Sequence, residues 1–148
     1  MAELYLEDLH PGDRFGSNTI EVTKESIFDF ARQFDPQPFH LDVEAAERSL
    51  FRELTASGWH TAAMSMKLYI TGEFHPAGGS IGLSVDELRW PHPVRPGDTL
   101  RLETEILDVR PSRSKPDRGI IRIRNVTTNQ RGEIVQSFLA FVMVRRRP

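Results

Sequence analysis

The chain has 148 residues, 39% of them hydrophobic, which is enough for one core and too few for two domains of usual size. Acidic and basic residues are mixed along it and the formal net charge is −2, which argues against a nucleic-acid-binding face. Cysteine is absent, so disulfides and thiolate nucleophiles are excluded.

The N-terminal part is predicted to be one strand followed by helices. The first ten residues lack the basic and apolar regions of a signal peptide. Residues 14–22 have the apolar and β-branched side chains of a strand. Thr23 and Asp42 are placed to cap two helices, the second running through residues 45–51. The apolar residues of the first helix recur at the spacing of one helical face: Ile27, Phe30, Ala31 and Phe34.

A long helix and a sheet are predicted for the remainder. The helix runs from about residue 59 to about 71, is apolar enough to be buried on most sides, and is too short to span a bilayer. Strands are predicted at 80–90, 99–109, 119–126 and 134–144, the last apolar enough to be central. Because no βαβ alternation is present, we expect an α+β domain over residues 1–148, with an antiparallel sheet around one long helix.

Residues 34–40, Phe-Asp-Pro-Gln-Pro-Phe-His, hold an acid and an imidazole on a stiff connection. Each proline pushes the residue before it out of helical conformation, so we expect Asp35 and His40 on a non-helical loop. Asp35 follows a helix C-terminus, where a cation would be favoured, so helix electrostatics do not account for it. An Asp and a His held together can share general acid and base work on water. The alternative interpretation is that the prolines only stop a helix and form a turn.

His60 lies one turn into the long helix. It is either within reach of the same pocket or an ordinary core histidine with one satisfied nitrogen. No histidine pair has the spacing of metal ligands and no glycine-rich phosphate loop is present, so we expect neither a metal nor a cofactor.

On the basis of these residues, the chain resembles the MaoC-like family, which has the hotdog fold and includes the (R)-specific enoyl-CoA hydratases. The resemblance covers nearly all of the chain. Its most specific part is residues 35–40, similar to the family's D-x-N-P-x-H, supported by Ser57-Gly58 at the head of the long helix. Gln37 departs from the usual Asn, and Ser57 stands where the family often has His.

The resemblance implies that Asp35 and His40 are the hydrating pair and that the backbone N–H of Gly58 is the oxyanion hole. Free N–H groups at a helix start carry partial positive charge suited to a thioester oxygen. Gln37, Ser57 and His60 are the candidate substrate contacts, although Ser57 is also a natural N-cap.

The function that the resemblance implies is a hydro-lyase of fatty acid metabolism, converting a trans-2-enoyl-CoA into a (R)-3-hydroxyacyl-CoA or the reverse. Coenzyme A would enter only as part of the substrate. The alternatives are a hotdog acyl-CoA thioesterase and a non-catalytic acyl-CoA-binding subunit. We expect a cytoplasmic protein without nucleic-acid or membrane partners, and a homodimer or larger assembly, because a lone hotdog sheet leaves an apolar edge.

Overall fold

In the computed structural model, which describes residues 2–148, one antiparallel six-stranded sheet packs around a long helix. The strands are β1 (Arg14–Phe15), β2 (Thr19–Glu21), β3 (Ile81–Arg89), β4 (Thr99–Pro111), β5 (Arg118–Thr128) and β6 (Ile134–Arg145). The α-helices are α1 (Lys24–Phe34), α2 (Pro38–Leu41), α3 (Val43–Glu47) and α4 (Gly58–Ile70), and a 3-10 turn covers Leu6–Asp8. The order of strands is β1-β4-β5-β6-β3, with β2 also paired to β4. The predicted α+β fold is confirmed.

Strands β4 and β5 alternate between the core and the outer face of the sheet. Along β5, Ile121, Ile123 and Asn125 are buried, and arginines lie between them. Asn125 is satisfied inside the core because Thr104 Oγ1 donates to its side-chain oxygen at 2.6 Å. The period of two residues is what the sequence predicted for this strand.

The first predicted strand is instead two short strands, β1 and β2, separated at residues 16–18. The Glu73 carboxylate accepts a hydrogen bond from the Gly16 N–H in this gap. The partner lies 57 residues away, whereas the break itself falls on Gly16, Ser17 and Asn18, residue types that favour turns.

Helix α1 begins as predicted, with Thr23 Oγ1 accepting from Ser26 N at 3.1 Å. Ile27 and Ala31 are buried in the core, whereas Phe34 is 69% exposed and does not belong to the predicted buried face. Asp42 caps α3 as predicted, but that helix ends at Glu47, before the predicted limit.

The expectation of a non-helical loop up to His40 is wrong in its second half. Pro38 begins the short helix α2, and His40 lies within it. Proline disfavours helix only for the residue before it and is itself well suited to the first helical position. Asp35 and Gln37 therefore remain outside any helix, while His40 is held on a helical turn.

Helix α4 is buried on one side only. Met64, Leu68 and Tyr69 contact the core, but Met66 and Ile70 are more than half exposed, so the prediction of burial on most sides is wrong for this chain taken alone. Strand β3 forms an edge of the sheet and also exposes apolar side chains. Within residues 2–148, no helix is long and apolar enough to cross a membrane.

Candidate active site

The carboxylate of Asp35 and the imidazole of His40 face each other just before the start of α4. The distance from Asp35 Oδ2 to His40 Nε2 is 3.4 Å. Asp35 lies directly after α1 and His40 on α2, so the two-proline connection returns the chain towards the end of the first helix. His40 is buried and Asp35 half-buried. The structure therefore brings together the two residues that the sequence singled out.

The tautomer of neutral His40 is set by the backbone. Its Nδ1 lies 2.7 Å from the carbonyl oxygen of Thr55, which can only accept, so Nδ1 carries the proton. Nε2 of the neutral ring is then a bare acceptor pointing at the Asp35 carboxylate, which is also an acceptor. Two acceptors at 3.4 Å do not bond to each other, but both are complementary to a donor with two O–H groups, such as water.

Asp35 is held in its ionised form. Burial by itself would raise its pKa, but hydrogen bonds from Ser57 and Gln37, together with the charge that His40 carries when it is protonated, outweigh burial and lower the pKa from its ordinary value. Ser57 Oγ donates to Asp35 Oδ2 at 2.7 Å, and the Gln37 amide donates to Oδ1 at 2.6 Å. The carboxylate is therefore available as a base throughout the neutral range.

Ser57 links this carboxylate to the start of α4. The same hydroxyl oxygen accepts from the backbone N–H of Trp59 at 3.2 Å, so Ser57 is the N-cap that the sequence suggested and a partner of Asp35 as well. Gln37 also contacts Asp35. Both candidate substrate contacts, Ser57 and Gln37, thus lie at the pair, and both side chains donate a hydrogen bond to Asp35.

Gly58 is the first residue of α4, next to Ser57. In the part of the chain that the structure describes, no acceptor is bonded to its N–H, as expected for the first turn of a helix. The side where a Cβ would stand is filled by the indole of Trp90, whose Cε2 would lie 2.7 Å from it. Glycine is required here by a protein side chain, a reason that the sequence analysis did not anticipate.

His60 is buried beside the pair. Its ring stacks on Phe30 with centroids 4.9 Å apart and planes 10° from parallel. Burial chiefly, and the nearby His40 to a lesser extent, lower the pKa of His60 below 6.5, so it is neutral at neutral pH. Its Nδ1 is buried without a hydrogen-bond partner among residues 2–148, as is Thr55 Oγ1.

Two contributors to the site were missed from the sequence. Thr55 acts through its backbone carbonyl, so its side-chain identity carries no signal of the role. Trp90 follows β3 and reaches Gly58 only through the tertiary fold, with its Nε1 donating to Gln136 at 2.9 Å.

The comparisons with known proteins agree with this architecture. The family model described as "MaoC like domain" matches residues 8–129. A crystal structure of the MaoC-like dehydratase from Rhodospirillum rubrum has 54% identity and a TM-score of 0.94, covering 98% of this chain and 99% of that chain. The (R)-hydratase PhaJ1 from Pseudomonas aeruginosa, in its unliganded form, has 27% identity and a TM-score of 0.80, covering 98% of this chain and 88% of its own.

A local match is found to the mesaconyl-CoA hydratase of Cereibacter sphaeroides, with 42% identity over 65 residues. That match covers 44% of this chain and 19% of the relative.

The sheet wrapped around α4 and the solved neighbours define a hotdog-fold protein of the dehydratase and hydratase class. The chain belongs to the MaoC-like family, whose model covers most of its length.

Proposed function

We propose that the protein is a hydro-lyase that adds water across the 2,3 double bond of an enoyl-CoA thioester, or removes it from the 3-hydroxyacyl-CoA. The observation that carries the proposal is the pair of facing acceptors, Asp35 Oδ2 and His40 Nε2, 3.4 Å apart. One water that donates to both is positioned and polarised at once. Membership of the MaoC-like family supports the same chemistry.

In the hydration direction, the pair removes one proton from this water while its oxygen bonds to C3 of the substrate. The electrons of the double bond move towards the thioester carbonyl, and the proton is returned to C2. The product gains O–H at C3 and H at C2, so the reaction is balanced without a redox cofactor. The Asp35 carboxylate stabilises the imidazolium that forms when His40 holds the proton, because opposite charges then face each other.

The negative charge on the thioester oxygen needs a donor, and the Gly58 N–H is the candidate. It stands at the start of α4, where the helix dipole adds partial positive charge. Ser57 couples it to Asp35, because one hydroxyl contacts both the carboxylate and the first turn of the helix. By analogy with the (R)-hydratase neighbour, we propose the (R)-3-hydroxyacyl product.

We infer further that two copies pair through β3 to form a homodimer. This strand is an edge of the sheet, and Ile81, Leu83 and Val85 are 61%, 47% and 57% exposed. The strand is nine residues long, and an edge strand whose first half exposes apolar side chains invites a further strand. The apolar side chains of α4 that are exposed in the single chain, Met66 and Ile70, are further surface for the same contact.

A panel of trans-2-enoyl-CoA esters tests the proposal. Loss of the conjugated double bond is followed by absorbance, and thiol release is followed in parallel with a chromogenic disulfide. Hydration consumes conjugation and releases no thiol. Thiol release with intact conjugation would identify a thioesterase instead, and tight binding without either signal would identify a non-catalytic subunit.

A further inference from the structure

A groove at the far end of the sheet is not used by the proposed reaction. Its volume is about 690 Å³, and it lies where β5 and β6 meet the loop before β3. Four arginines line it, at positions 118 and 145–147. The loop contributes Gly78 and Gly79, and β3 contributes its first residue, Ile81.

The four arginines are not equivalent. Three have carboxylate partners: Arg118 with Asp117, Arg146 with Glu7 and Arg147 with Asp8. Arg145 has no carboxylate within 4.0 Å in residues 2–148, and it is exposed. The groove therefore presents one guanidinium whose charge is not compensated by the protein.

Arg145 also lies close against the loop opposite. Its Nε and Cζ would lie 3.1 and 3.2 Å from a Cβ at position 78, so its side chain covers Gly78 closely. Gly78 has a φ of +71°, which also favours glycine. The guanidinium is a pre-organised planar fork, so it loses little freedom for each hydrogen bond it forms, and its geometry matches phosphate oxygens.

The groove is too far from the catalytic pair of its own chain to share a substrate with it. Ile81 begins β3 in the groove, whereas Trp90, just after the end of β3, covers Gly58. Nine residues separate Ile81 from Trp90, which at about 3.3 Å per residue is roughly 30 Å of extended strand. This separation exceeds the reach of a pantetheine arm.

In the proposed homodimer this separation disappears. A two-fold axis through the β3 edge makes the two copies of β3 antiparallel, so the Ile81 end of one strand lies beside the Arg89 end of the other. The groove of one protomer then neighbours the Gly58 of its partner. We propose that Arg145 and the Gly78–Gly79 loop of one protomer bind phosphates of the coenzyme A whose thioester reacts on the other protomer. The inference rests on the proposed function.

Arg145→Ala tests the site with two substrates that share one reacting group. With crotonyl-CoA, we expect KM to rise about tenfold and kcat to stay within about twofold, because a charge-assisted contact is lost away from the reacting atoms. With the crotonyl thioester of N-acetylcysteamine, which lacks the nucleotide, we expect no change. Arg101→Ala, an exposed arginine on the outer face of β4, is the matched control and should match the parent with both substrates. An unchanged KM for crotonyl-CoA in Arg145→Ala would overturn the proposal.

Mixed dimers test which protomer the groove serves. Asp35→Asn and Arg145→Glu are each expected to be weak at low crotonyl-CoA concentration. In a mixed dimer, the Asp35 of one chain and the Arg145 of the other form one complete site, so activity should return on subunit exchange. If each groove served its own chain, every site would lack one of the two residues, and the absence of recovery would overturn the cross-subunit assignment.

Binding of 3′,5′-ADP, measured by calorimetry, separates failure of the groove from failure of the reaction. If the parent hydrates neither thioester, the proposed function is wrong, and the groove is then judged by this ligand alone. We expect Arg145→Ala to bind it about tenfold more weakly than the parent or Arg101→Ala. Equal affinities in all three proteins would overturn the anion site.

Discussion

The indole of Trp90 lies directly against Gly58, at the residue where α4 begins. An added methyl group at position 58 would stand 2.7 Å from Trp90 Cε2 and 2.8 Å from Cδ2. Trp90 is itself fixed by its hydrogen bond to Gln136. The residue that carries the candidate oxyanion donor is therefore packed against a side chain from outside the helix.

Gly58→Ala is expected to destabilise the protein by about 1–3 kcal/mol, because a well-placed ring must move. Trp90→Leu removes the ring, so the double variant should be more stable than the sum of the two single effects, with a coupling energy of about 1 kcal/mol or more. Urea unfolding of the four proteins measures this coupling. Additivity within about 0.5 kcal/mol would contradict the contact.

Asp35→Asn is expected to lower kcat for an enoyl-CoA ester by about 10²–10⁴-fold, since the base is removed while the shape is kept. The melting temperature should stay within a few degrees, because Asn still offers an oxygen to Ser57. Asp42→Asn is the matched control: it changes a nearby carboxylate to an equally good N-cap and should leave kcat unchanged. Parental turnover in Asp35→Asn would refute the role.

His40→Ala should lower kcat by a similar factor but also cost stability. It removes a buried ring and leaves the Thr55 carbonyl without its partner, which costs about 1–3 kcal/mol. Turnover must therefore be measured well below the melting temperature of this variant, which is followed by circular dichroism. If the folded fraction accounts for all of the lost activity, His40 is structural only.

The pH dependence of the reaction is expected to respond to Ser57. The Ser57 hydroxyl is the leading hydrogen-bond partner that lowers the pKa of Asp35, acting against burial, which raises it. Ser57→Ala removes this lowering, so the pKa of Asp35 rises and the carboxylate is protonated at higher pH. The acid limb of kcat/KM that reports Asp35 should therefore move to higher pH. Gln37→Ala should move it in the same direction, because its amide also lowers that pKa.

The measurement is a pH profile of kcat/KM together with a carbon NMR titration of the Asp35 carboxyl. Loss of the N-cap alone would lower stability by about 0.5–2 kcal/mol without moving the titration. An Asp35 titration identical in parent and Ser57→Ala would show that the hydroxyl serves only the helix.

Much of the site could be predicted because its signals are local. The acid, the two prolines and the imidazole lie within residues 35–40, and the helix start at Ser57-Gly58 has an ordinary cap. The features that were not predicted depend on contacts between residues that are distant in sequence. Trp90 meets Gly58 across 32 positions, and the Glu73 carboxylate that accepts from Gly16 lies 57 residues away. Helix α2 was missed for a local reason, because Pro38 was interpreted as a breaker when it occupies the first helical position.

His60 is expected to line the site, and its replacement by an apolar residue is expected not to lower the stability of the protein. Its Nδ1 is buried without a partner in the described chain, and an apolar side chain of similar size would avoid that desolvation. His60→Leu should therefore unfold at the same or higher urea concentration than the parent at pH 7. If His60 contacts the substrate, KM will rise in this variant despite the unchanged stability.

The pH dependence of the stability gives a second measurement on His60. The pKa of His60 is lowered on folding, so the unfolded chain binds a proton more readily as pH falls below about 6.5. The parent should lose stability through this group as pH falls below about 6.5, and His60→Leu should not. The advantage of the variant is thus expected to grow as pH falls. A constant difference would show that burial does not perturb this imidazole.

The β3 edge is expected to control both assembly and activity. Val85→Lys places a charge in the middle of the exposed apolar strand, where a second copy would have to bury it. Light scattering should show the parent as a dimer and the variant shifted towards monomer, with activity falling in proportion if a site needs both copies. Leu50→Lys, at another exposed apolar residue far from β3 in sequence, is the control and should remain dimeric. A dimeric and fully active Val85→Lys protein would exclude β3 as the interface.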